Sequence, residues 1–176
     1  MKISQEEPFV GRCHQAGDEL GAQVLTARLV HIIMQLCFTM EQRYAPYSKW
    51  FGTAFEQLPG ATALRSILLQ ALTTPDARDR EDALCAAYSI MAKRHNELGV
   101  AERLDVNVRP FHTRPFLVIS GERFARALQN AIARPEMRTW PLLGSVNQLS
   151  STVDFLEHNH LLQKTANLYA PDSETR

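Results

Sequence analysis

Two short segments of this 176-residue chain gather side chains able to hold an anion. In Arg43-Tyr44-Ala45-Pro46-Tyr47-Ser48-Lys49-Trp50, two cations and three aromatic rings meet a predicted helix N-terminus. Arg43 and Lys49 supply charge, free amides near Ser48 supply donors, and Tyr47 or Trp50 offers a stacking face. The opposing reading has the rings stapling two helices together while Arg43 and Lys49 reach for water.

The second segment is Arg109-Pro110-Phe111-His112-Thr113-Arg114-Pro115. Fixed proline dihedrals would hold Arg109, His112 and Arg114 on a stiff arm able to clamp an anion. Equally, the prolines could only route a loop, with Phe111 and Phe116 buried and the arginines solvated. His95 and Asn96, beside Lys93 and Arg94, fall near the end of a predicted helix, where cations complement the helix dipole. They are candidate supports for a site, with a capping role as the alternative.

Catalytic signatures are absent from the sequence. There is no phosphate-binding glycine loop and no nucleophile elbow. Asp79-Arg80-Glu81 has the spacing of a metal-binding carboxylate pair, but it lies in the first turns of a helix and reads as a solvated face. His158 and His160, two apart on a predicted helix, point to different sides, and Cys13 and His14 are adjacent, so no metal bound by this chain alone is expected.

These segments need elements to position them. Apolar residues from Leu20 to Met40 recur at helical spacing, and Pro46 breaks the pattern. Ser48 reads as the cap of a shorter helix running to about Leu58, where Pro59-Gly60 ends it. A third helix is predicted over Thr62–Leu72 and a fourth over Asp76–Leu98, capped by Asp76 and stopped by Gly99. Leu104 to Pro115 has no helical period, and the run Phe116-Leu117-Val118-Ile119 predicts a short strand or extended arm within 106–119. A fifth helix follows over Glu122–Ala133, and a sixth from about Ser145 to Tyr169. The predicted fold is mainly α: one helical bundle of about six helices over 9–169, with 1–8 as linker or disordered and 170–176 as a tail.

The totals fit this picture. Apolar residues make up 45% and charged ones 22%, and the 19 basic residues cancel the 19 acidic ones, so no global field favours nucleic acid or an anionic membrane. Cys13, Cys37 and Cys85 are odd in number and far apart, which predicts reduced thiols in or near the core of a cytoplasmic protein. The N-terminus lacks the basic start and apolar run of a signal peptide. The apolar stretch Leu29–Met40 is shorter than the roughly 20 residues that span a bilayer, and it reads as a core helix.

Gly11-Arg12-Cys13, Gly17-Asp18-Glu19-Leu20-Gly21, Arg28-Leu29-Val30, Met34-Gln35-Leu36-Cys37-Phe38 and the Arg43-to-Trp50 corner together resemble domain of unknown function 4037. His95-Asn96, the Arg109-to-Pro115 arm and Gly144-Ser145-Val146 extend the likeness, from about Phe9 to Phe155. In that family the helical region typically follows a nucleotidyltransferase domain. The resemblance therefore implies an accessory or substrate-recognition domain, not catalytic alone. Arg43, Tyr47, Lys49, Trp50, Arg109, His112 and Arg114 would then bind a phosphorylated small molecule. Nucleotide and magnesium are implied only when a catalytic domain or subunit is present, because the only Gly-Ser, Gly144-Ser145, lacks the paired carboxylates behind it. The alternative is an interaction module that binds a separate catalytic subunit or itself. A helical ribonuclease is the least supported reading, since Arg28 with His31 and Arg94 with His95 miss its Arg-to-His spacing.

Overall fold

The computed structural model describes residues 1–140, 142 and 159–165. The chain is mainly helical, with one two-stranded antiparallel sheet among the described residues. It divides into a unit Met1–Ala131 and a unit Ile132–Arg176, where the sequence predicts one domain. The helix before the division ends at Asn130, and Pro135, which restricts the residue before it, opens the next one.

The first unit begins with α1 (Lys2–Gln15), so residues 2–8 are helix rather than linker. Pro8 and Gly11, both poor helix residues, hide it in the sequence. Tertiary contacts override them. Glu6 and Glu7 are buried, Glu6 pairing with Arg28 and Glu7 gripping a distant segment described below. Gly17, at φ +72°, turns the chain out of α1, and Asp18 caps α2 (Glu19–Met40) by accepting from the Gly21 amide at 2.8 Å. A Cβ on Gly21 would lie 2.1 Å from the Asp18 carboxylate, so the cap requires glycine there.

By length and composition, α2 is apolar enough to cross a bilayer, with a mean hydropathy of 1.4 over its most apolar window. In the fold Leu29, Val30, Ile33, Cys37 and Phe38 enter the core. After the proline break come α3 (Ser48–Glu56) and α4 (Ala61–Thr73). Tyr47, not Ser48, occupies the cap position of α3, and no side chain caps it. Asp76 caps α5 (Ala77–Leu98) through the Arg78 and Asp79 amides at 2.8 and 2.9 Å, and Gly99, at φ +63°, ends it as the sequence predicts.

The extended arm is a minimal hairpin, β1 (Arg109–Pro110) against β2 (Leu117–Val118), with Arg109 opposite Val118. It packs on α1 and α5. Phe116 lies against Gly11, where an added Cβ would come within 2.4 Å of the ring. Glu7 then receives three amides, from Ile119 (2.7 Å), Ser120 (3.2 Å) and Gly121 (2.9 Å), at the start of α6 (Glu122–Asn130). The carboxylate thus serves the free donors of a helix it does not belong to. Burial pushes its carboxyl above the ordinary value, opposed by those amides and by Arg123.

In the second unit, α7 (Pro135–Arg138) carries proline at its start, and Arg138 donates to the Ile132 carbonyl at 2.6 Å. The described part of the predicted sixth helix is α8 (Asn159–Lys164). Gly144, Ser145 and His158 lie outside the described residues.

Candidate functional site

The corner between α2 and α3 holds its rings in solvent. Tyr44 is 98% exposed, Tyr47 57% and Trp50 51%. The stapling that sequence alone allowed for these rings is performed instead by Phe51 and Phe55, which are buried; Phe51 packs at a tilt against Phe38 and His31. Lys49 Nζ sits 5.1 Å from the Trp50 ring centroid, a cation–π contact. Arg43 is exposed and enters no ion pair with any described residue. Two cations and three rings therefore face water together, and no carboxylate among the described residues pairs with either cation.

The arm residues lie elsewhere. Arg114 Nη1 donates to Gln15 at 3.4 Å, at the end of α1, and His112 adopts φ +53° at the hairpin tip, its ring edge-on to Phe111. Arg109 pairs with Asp105 at 3.0 Å. Glu19 at the start of α2 pairs with Arg80 near the start of α5 (2.7 Å), and Glu41 just past α2 pairs with Arg94 near the end of α5 (2.6 Å), so the two helices run parallel. Gln15 and His14 stand at the Glu19 end, Arg43 and Lys49 at the Glu41 end. A helix of 22 residues is about 33 Å long, which keeps Arg114 and the corner from closing on one phosphate.

His95 and Asn96 shape a loop. His95 is 3% exposed, packs edge-on against Phe124 and has Nε2 3.4 Å from the Glu102 carbonyl. Asn96 clasps Leu104 in both directions, donating to its carbonyl at 2.8 Å and accepting from its amide at 2.9 Å. Beside this clasp is an open cavity of about 420 Å³, lined by Lys93, Asn96, Glu97, Arg103, Leu104, Asp105 and Val106. The sequence gives no sign of Arg103, and Lys93 reads there only as a complement to the helix dipole. No motif marks either residue, and only the fold of the loop brings them together.

The Asp79-to-Glu81 segment is not the solvated face that the sequence predicts. Asp79 is exposed, but Arg80 is 1% exposed and donates to Glu19 and to the Thr74 carbonyl (2.9 Å), while Glu81 accepts from the Leu117 amide at 2.8 Å. Arg80 Nη1 also lies 3.3 Å from His14 Nε2. A guanidinium has no acceptor, so His14 accepts there and carries its proton on Nδ1, 3.5 Å from Glu19. Among the described residues, no three of His, Cys, Asp and Glu come together as a metal site.

Residues 1–51 match the model of a family described as a domain of unknown function (DUF4037). The match covers α1, α2 and the opening of α3, and it supports the resemblance over that stretch. No curated protein and no solved structure matches the chain.

Proposed function

We propose that this chain is the helical recognition domain of a nucleotidyltransferase-like system, whose α2–α3 corner receives a ligand carrying both a phosphate and a flat ring. The observation that carries the reading is the solvent-held set of Tyr47, Lys49 and Trp50 beside Arg43, which pairs with no carboxylate among the described residues. Surface rings cost free energy unless something covers them, and two cations without acids favour an anionic occupant. The corner is a surface rather than a cleft, so a catalytic domain or subunit would form the opposite wall. That partner would bring the carboxylates and magnesium on which nucleotide transfer depends.

Trp50 reports on its own corner. In a Trp140→Phe background, nucleoside triphosphates added with and without magnesium should quench Trp50 emission in a saturable way. Lys49→Ala and Arg43→Ala should each weaken binding about tenfold, the loss of one charge-assisted hydrogen bond. Quenching that neither substitution alters would remove the corner from the reading.

A second reading, an interaction module, rests on Leu20 (74% exposed) and Val24 (53% exposed), one turn apart on the outer face of α2. Sedimentation of the chain alone and with a nucleotidyltransferase domain tests it. A monomer in both cases would exclude it.

A further inference from the structure

The cavity beside the Asn96–Leu104 clasp lies apart from the aromatic corner and has its own charge balance. Four charged side chains line it, nominally two of each sign. The acids are already matched from outside the lining: Asp105 by Arg109 at 3.0 Å, and by the Asn107 amide and side chain, and Glu97 by Arg94 at 3.5 Å. Lys93 and Arg103 enter no ion pair with any described residue. The cavity therefore presents two cations without a paired acid among the described residues, one on α5 and one on the following loop.

Those walls are fixed before any ligand arrives. Asn96 holds Leu104 by two hydrogen bonds, and Arg123 ties the Asp105 carbonyl at 3.0 Å. Preorganisation of this kind lowers the entropy lost on binding. A volume of about 420 Å³ lies within the range of small-molecule sites, and Leu104 and Val106 give it an apolar side. The negative end of the α5 dipole works against an anion here, so one cation would not suffice.

From this geometry we infer that the cavity is a binding site for a small organic dianion, a phosphomonoester or a dicarboxylate, held between Lys93 and Arg103 with its carbon skeleton on Leu104 and Val106. The site does not depend on the corner reading.

Calorimetric titration of the full chain with glycerol phosphate and, separately, with succinate tests it, and the better binder identifies the source of the double charge. Lys93→Ala and Arg103→Ala should each weaken the better binder about tenfold or more. Arg78→Ala, an exposed cation near the start of α5, should leave it unchanged, and circular dichroism should show all three variants folded. Absence of binding by either dianion at millimolar concentration overturns the inference. So does an equal loss in Arg78→Ala, which would mark unspecific charge attraction. A loss in Arg43→Ala and Lys49→Ala, with Lys93→Ala silent, would assign the binding to the corner and overturn the cavity as a site.

Discussion

Arg80, 1% exposed, donates to Glu19 across 61 positions of sequence at 2.7 Å, while the Glu19 side chain remains half in water. The pair is asymmetric, and the asymmetry fixes which partner is dispensable. Removing Glu19 leaves a buried guanidinium with only the Thr74 carbonyl and His14. Removing Arg80 leaves a carboxylate free to hydrate. Glu19→Ala should therefore lower the melting temperature more than Arg80→Met, which fills the same space with apolar atoms. Thermal denaturation followed by circular dichroism checks the order, and the reverse order would mean that Arg80 acts mainly by packing.

Acid should weaken the unit through specific carboxylates. Arg80 and Gln23 hold Glu19 below its ordinary value, and the amides of Asp79 and Arg78 do the same for Asp76. Groups with lowered values stabilise the fold fully above the unfolded value, about 4, and lose that contribution as pH falls through the folded one. The melting temperature should fall below about pH 4, and Glu19→Gln combined with Asp76→Asn should flatten that fall. An unchanged acid limb in the double variant would assign acid sensitivity to other groups.

Gly11 is a contact site rather than a hinge. Gly11→Ala drives a methyl into the Phe116 ring, and overpacking of this kind costs about 1–3 kcal/mol. Phe116→Leu should recover part of that loss when combined with Gly11→Ala, although alone it destabilises. Urea denaturation of the four proteins measures the coupling, and strict additivity would deny the contact.

The thiols should be inert in the folded chain. Burial pushes Cys37 up to about 11 and Cys85 up to about 12, and it also raises half-buried Cys13. Thiolate is then scarce at neutral pH. Native protein should react slowly with an aromatic disulfide reagent and release three equivalents in denaturant. Fast native reaction at one site would expose a thiol that the fold is expected to cover.

Much of the helical layout was legible because the signals were local. Asp76 and Gly99 bound α5 by cap chemistry, and Pro46 separates α2 from α3. The first helix escaped because its support is remote: Glu7 bonds residues more than a hundred positions away, and nothing near Pro8 announces it. The candidate residues fared unevenly for the same reason. The corner is contiguous in sequence and stays contiguous in space. The arm carries similar chemistry but sits by α1, and the meeting of Lys93 and Arg103 at one cavity depends on a clasp that no spacing rule encodes.

The Glu7 grip on Ile119, Ser120 and Gly121 also orders events in time. As the chain leaves the ribosome, α1 emerges with two carboxylates meant for burial, and the donors for Glu7 follow only after α2 to α5 have been made. Until then Glu7 must stay hydrated; α1 can pack early on its neighbour α2 through local contacts, while its grip on the start of α6 closes only after α5 has been made.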